Sequence, residues 1–158
     1  MKIPSKKKCI ELLNKNRTPS KVIEHSKTVC RVAEKVAERL INNKIRLNKR
    51  LVTAAALLHD IERGKDRHVI RGFRLLNKLG YSNVANTIKK HSLYKLDLKN
   101  RQPRTWEEKI VFYADKRCKD SRIVTLDERF KALESHYKVN LGKELKFTKR
   151  IEKELLQK

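Results

Sequence analysis

Glycine (4), proline (3) and cysteine (3) are scarce in this chain of 158 residues, and aromatic side chains make up only 6% of it. An all-β fold of this size needs many tight turns, which glycine and proline supply, so their scarcity excludes sandwiches and barrels and leaves an all-α fold. Cys9, Cys30 and Cys118 form no CxxC pair and cannot all be bridged. That argues against a zinc finger or a disulfide scaffold and for a reducing compartment. No apolar run approaches the roughly 18 to 20 residues that cross a bilayer, and the opening MKIPSKKKCIELLNKN turns charged before a signal-type apolar segment can form. The expectation is a soluble, cytoplasmic protein without a membrane partner. Acidic residues are also few, 18 against 41 Lys and Arg, which leaves a formal charge of +23. Such an excess attracts phosphorylated small molecules and, as the competing partner, nucleic acid. The basic residues run from Lys2 to Lys158, a spread that a Lys-rich solvated surface produces equally well.

What is present is helical punctuation. Thr18 and Pro19 form a cap and first-turn pair, and Val22, Val29, Val32, Ala33, Val36, Ala37 and Leu40 share one face, which predicts a helix from residue 19 to about 43. A shorter helix is expected over residues 5–14. Asn48 caps LVTAAALLHDI, whose near-continuous small and aliphatic residues mark a helix buried on most sides. Asp66 is expected to cap HVIRGFRLLNKL, which Gly80 ends, and Ser82 to cap VANTIKKH. Residues 95–104 lack any period and contain Pro103, so they read as an exposed loop. Thr105 and Glu108 make a capping box for WEEKIVFYADKRC. Two more helices are expected over residues 126–137 and 143–156. No repeat, linker or low-complexity tract interrupts the chain, so residues 1–158 are expected to form one domain.

The chemistry concentrates in histidine and aspartate. His25 lies four residues before Val29 and seven before Val32, on the apolar stripe of its helix. His59 and Asp60 end the most apolar helix, His68 and His91 stand at helix ends, and Asp115 lies in the apolar half-turn VFYAD. A buried ionised carboxylate needs a compensating cation or strong donors. Imidazole and carboxylate together suit Mn, Fe, Co, Ni or Zn.

The order His25, His59-Asp60, Asp115 resembles the H…HD…D signature of the HD-domain metal-dependent phosphohydrolases. EHSKTVCRVAEKVA, AAALLHDIERG and HVIRGFRLLNKLG look like that superfamily too. The resemblance covers about residues 19–130 and leaves 131–158 as a C-terminal helical extension. It implies an HD-type bundle of about six to eight helices and one divalent metal on His25, His59, Asp60 and Asp115. It also implies a second metal through His68 and His91, with Asp60 bridging the two; Mg is a further candidate beside the transition metals. The implied activity is hydrolysis of a phosphomonoester or phosphodiester in a nucleotide or related phosphorylated compound, through a metal-bound hydroxide.

Departures narrow the family. No GYP follows His91, Ser92 stands where a second histidine belongs, and Lys21 occupies the turn before His25, which disfavours cyclic-di-GMP phosphodiesterases. Ile61-Glu62-Arg63-Gly64 matches HDxxED poorly, which disfavours guanosine-tetraphosphate hydrolases. IKKHS looks closer to HD enzymes that split diadenosine tetraphosphate, but ADKRCKDSRIV lacks their longer signature. Among the nearby cations, Arg63, Lys65, Arg117 and Arg122 are singled out, with Asp60, as catalytic candidates that neutralise phosphoryl charge. Trp106 and Tyr113 read as core rather than base-stacking residues. Two other functions compete: a basic nucleic-acid-binding or RNA-processing protein, and a regulatory HD domain without catalysis. The complete set of six ligands argues against the second.

Overall fold

Short polar side chains begin several helices. In the computed structural model, which describes residues 2–157, Ser5 Oγ accepts the Lys8 amide at the start of α1 (Lys6–Lys15). Pro19 precedes α2 (Ser20–Asn42). Asn48 Oδ1 accepts the Leu51 amide at α3 (Lys49–Leu58). After α4 (His68–Lys78) and α5 (Ser82–Ile88), a short 3-10 turn (Lys99–Arg101) leads to α6 (Trp106–Lys116), which opens with the full Thr105/Glu108 capping box. A two-stranded antiparallel hairpin, β1 (Cys118–Lys119) and β2 (Arg122–Ile123), precedes α7 (Leu126–Tyr137), capped by Thr125, and α8 (Gly142–Leu156). The fold is all-α, with eight α-helices among the described residues.

The core forms around α3, where Val52 to Leu58 are all buried. The apolar faces of α2 and α6 pack against it, α1 and α5 complete its surroundings, and α8 lies on α6 and α7. α4 reaches the core through a close approach. A side chain at Gly72 would meet Ile88 Cδ1 at 3.4 Å and Ile61 Cγ2 at 3.5 Å, so the missing Cβ lets α4 settle on α5 and carries His68 toward the end of α3.

Six local expectations are corrected. Thr18 does not cap α2: Pro19 holds the cap position, and Thr18 Oγ1 donates to the Ile61 carbonyl instead. Ser82 does not cap α5: it is the first helical residue, and Tyr81 precedes it with no side-chain cap. Asp66 does not cap α4: its side chain is 95% exposed, and Arg67 occupies the cap position in the left-handed region at φ 51°. α5 ends at Ile88, because the amides of Lys90 and His91 bond three residues back, to Thr87 and Ile88, and tighten the last turn. α6 stops at Lys116. Cys118 pairs with Ile123 across the hairpin, whose turn uses Asp120 at φ 53°, a short polar residue that tolerates the left-handed region without glycine. The 95–104 segment is not wholly exposed, since Leu96 and Pro103 are buried and Gln102 Nε2 donates to the Leu96 carbonyl. Trp106 packs against the core and Tyr113 is buried within it. No helix among the described residues is long and apolar enough to cross a membrane.

Candidate metal centre

Five elements deliver six side chains to one place. α2 supplies His25, the residues just past α3 supply His59 and Asp60, α4 opens with His68, His91 follows α5, and Asp115 sits in the last turn of α6. They form two groups, His25/His59/Asp115 and Asp60/His68/His91, and within each group the potential ligand atoms lie within 4.8 Å of one another. Asp115 Oδ1 is 3.0 Å from His25 Nε2 and 3.4 Å from His59 Nε2. Asp60 joins the groups. Its Oδ2 lies 3.5 Å from His59 Nε2, while Oδ1 lies 3.4 Å from His91 Nε2 and 3.5 Å from His68 Nε2.

The hydrogen bonds behind the rings decide what the centre can hold. His25 Nδ1 contacts the Asp120 carbonyl at 2.7 Å, His59 Nδ1 the Ala56 carbonyl at 2.8 Å and His91 Nδ1 the Ile88 carbonyl at 2.6 Å. A carbonyl can only accept, so each Nδ1 carries the hydrogen, and on a neutral ring Nε2 then turns a bare lone pair toward carboxylate oxygens. Lone pairs facing carboxylates repel unless a cation lies between them. His59 Nε2 and Asp60 Oδ1 are buried without a hydrogen-bond partner, the state in which a ligand atom awaits a metal. The donor set therefore fits divalent cations.

Without a metal, protons must do the compensating. Burial opposes charge on His59, but Asp60 and Asp115 beside it push its pKa up. Burial would raise Asp60, yet His59 and His91 hold it well below the usual carboxylate range. Asp115 is likewise opposed by burial and held low by Lys116, His25 and His59. His68, more open, is lowered by burial despite Asp60, and its Nε2 lies 3.3 Å from Arg63 Nη1.

The cations proposed from sequence separate. Arg63 faces the centre, with Nη1 4.0 Å from Asp60 Oδ1 and Nη2 donating to Tyr137 Oη at 3.5 Å. Lys65 is drawn to Glu62 Oε2 at 2.9 Å. Arg117 donates to the Val124 carbonyl at 2.6 Å and to Tyr113 Oη at 2.6 Å, and lies beside Glu152. Arg122 is exposed on β2. None of these three lines the cavities at the centre. In their place the structure brings Lys116, whose buried Nζ lies 2.5 Å from Asp115 Oδ2 and 2.8 Å from the His91 carbonyl. One cavity of about 590 Å³ opens over His25, Asp60 and Asp115, and a second of about 210 Å³ over His68 and His91. Arg63, Asp115, Arg129, Leu133 and Tyr137 line both. Sequence reasoning missed Arg129 and Tyr137 because both belong to α7, remote from the motif in the chain.

A sequence model of the family described as HD domain matches residues 22–120. The chain is 33% identical over 140 residues to a tRNA (cytidine(56)-2′-O)-methyltransferase of Picrophilus torridus, a match covering 80% of this chain and 40% of that protein. It is 34% identical over 127 residues to the protein of the same name from Thermoplasma volcanium, covering 72% of this chain and 36% of the relative. An uncharacterized protein of Methanocaldococcus jannaschii is 30% identical over 151 residues, 87% of each chain. The chain thus spans about two fifths of the methyltransferases it matches and most of the third relative. No solved structure matches it.

Proposed function

The chain belongs to the HD domain family, and from that premise we propose that it is a metal-dependent phosphohydrolase acting on a nucleotide or related phosphorylated compound. The observation that carries this reading is the sharing of Asp60 between the two ligand groups, one carboxylate oxygen turned to each. His25, His59, Asp60 and Asp115 would hold one divalent ion, and Asp60, His68 and His91 the other. Bound there, Mn, Fe, Co, Ni, Zn or Mg would supply Lewis acidity toward phosphoryl oxygens and lower the pKa of a water.

The chain's own residues prepare the rest. Nδ1 bonds from His25, His59 and His91 to backbone carbonyls fix the ring orientations before anything binds. Lys116 occupies Asp115 Oδ2, so Oδ1 is the atom turned toward His25 and His59. Burial of Asp60 and Asp115 keeps the local dielectric low and strengthens attraction to developing charge. Arg63 meets non-bridging phosphoryl oxygens with a delocalised, permanent charge. A water oxygen forms the new bond to phosphorus and gives up its proton to solvent as the ester P–O bond breaks, and solvent in the open cavity protonates the leaving oxygen. Lys65, Arg117 and Arg122 have no part in this mechanism.

The test is phosphate release from mononucleotides, dinucleoside polyphosphates, cyclic nucleotides and short RNAs, each with Mn, Fe(II), Co, Ni and Mg, beside metal analysis of the same protein. Two metals per chain with hydrolysis of at least one class is expected. Two metals with no hydrolysis of any class refutes the enzyme and leaves a regulatory HD domain.

A further inference from the structure

Resting on the phosphohydrolase reading, we propose that the substrate is a single strand of RNA lying across the centre, with bases on either side of the reacting phosphodiester stacked on Tyr94 and Tyr137.

The first observation is the division of the space. The larger cavity opens over His25 and Asp60, the smaller over His68 and His91, Asp115 lines both, and the two share a wall formed by Arg63, Arg129, Leu133 and Tyr137. A phosphomonoester needs room on one side of phosphorus. A diester inside a chain carries a nucleoside on both sides and fills both lobes.

The second is the placement of the tyrosines. Tyr81 and Tyr113 are buried, at 6% and 1% exposure, whereas Tyr94 and Tyr137 are 66% and 52% exposed. Both exposed rings line the cavities: Tyr94 the smaller, Tyr137 both. The exposed aliphatic residues Ile41, Ile70, Leu79, Leu98, Ile123 and Val139 line neither. Exposed aromatic faces beside a phosphate-handling centre are stacking platforms for unpaired bases, which every base fits.

The third is unspent positive charge. Arg129 lines both lobes, and its Nε is buried without a hydrogen-bond partner, a donor awaiting an acceptor. Lys21 and Lys119 add charge at the larger lobe, where Asp120 is the one carboxylate outside the ligand set. Paired bases in a duplex offer no free faces to tyrosine, so the strand is single. Two relatives named as tRNA methyltransferases make RNA the choice over DNA.

Binding is read separately from cleavage. The full chain is titrated in chelator against a fluorescein-labelled octaribonucleotide, a duplex of the same sequence and the DNA equivalent, with fluorescence anisotropy as the readout. The single RNA strand should bind at least tenfold tighter than either. Tyr94→Ala and Tyr137→Ala should each weaken it about tenfold, and the Phe variants should stay within about twofold of the parent. With Lys21, Arg63, Lys119 and Arg129 as phosphate contacts, log affinity against log salt should fall with a slope of about −3. Thermal melting checks that the alanine variants fold, as exposed positions allow. Duplex bound as tightly as single strand, or affinity indifferent to both tyrosines, overturns the proposal in favour of diffuse charge attraction; DNA bound as tightly overturns the choice of RNA. Tyrosine-dependent RNA binding without cleavage by the Mn-loaded protein sinks the phosphohydrolase and the bond it was to break, while the strand site stands. Cleavage of mononucleotides with no preference for the strand does the reverse.

Discussion

Replacing Lys116 by methionine separates the electrostatic from the positional role of the one buried lysine at the centre. Lys116 is 4% exposed, lies 2.5 Å from Asp115 Oδ2 and passes over the Phe112 ring. Methionine keeps the apolar stem against that ring and removes the charge. In the metal-free protein Asp115 then loses its strongest compensating cation, and breaking a buried pair costs about 3 to 5 kcal/mol. For a chain of this size, that corresponds to a fall in Tm of roughly 6 to 20 °C. A divalent ion on Asp115 compensates the carboxylate again, so the deficit should shrink when metal is present. By linkage, whatever is recovered appears as tighter metal binding: a recovery of about 2 kcal/mol is a gain of roughly thirtyfold in affinity. A positional role predicts the opposite, since a carboxylate freed to rotate binds metal more weakly, but ordering one short side chain is worth only about 1 kcal/mol. Compensation wins on magnitude. The assay is thermal melting with chelator and with Mn, joined to calorimetric metal titration. Weaker metal binding by Lys116→Met, or equal Tm losses in both states, refutes the reasoning.

Asp60→Asn should lower phosphate release by several orders of magnitude while the metal-free protein still folds but melts lower, because His59 and His91 lose the carboxylate paired with them; near-parent turnover rules out the shared role of Asp60. His68→Ala or His91→Ala should leave about one metal per chain by elemental analysis, and two metals retained by both variants refute the second site. Burial raises the thiol pKa of Cys9, Cys30 and Cys118 to about 12 from 9.0. Native protein at pH 8 should therefore react with a disulfide reagent roughly a thousandfold more slowly than unfolded protein, and rapid native labelling would contradict the packing around them. The same shift has a stability consequence. Thiols held protonated in the folded state stabilise it below pH 9, and that contribution fades as pH rises toward 12, so urea midpoints should fall over that window.

The helices themselves were legible from local rules, though three caps read from residue type, at Thr18, Asp66 and Ser82, do not form. The Thr105/Glu108 capping box, the cap at Asn48 and the buried run in α3 each depend on residues within one or two turns, and each stands where the pattern puts it. The failures share a different cause. Asp66 suited a cap by type, but the chain turns through Arg67 in the left-handed region before α4 begins, and Gly72 then fits against Ile61 and Ile88 from α3's end and α5. The helical pattern of α6 gave no notice that Cys118 would pair with Ile123 instead, because a hairpin turning on Asp120 carries no glycine signal.

The site divides along the same line. Histidine and aspartate on apolar faces are costly unless something pays for their burial, so their positions stand out from single helices without knowledge of how those helices meet. Lysine and arginine carry no such signal, because the default place for either is a solvated surface, and this chain has 41 of them. Proximity in sequence made Lys65 and Arg117 look equivalent to Arg63. In space, Glu62 holds the first, Glu152 and the Val124 carbonyl hold the second, and only Arg63 stays on the cavity. Arg129 and Tyr137, far along the chain, reach the same wall because α7 packs beside α6 and α8. The proposed metal ligands are thus written in local polarity, and the residues proposed to choose a substrate are written in the packing of a helix outside the motif. Exchanging α7 residues should therefore change which phosphoester is preferred while two metals remain bound, and loss of metal on such exchanges would show that the two tasks are not separable.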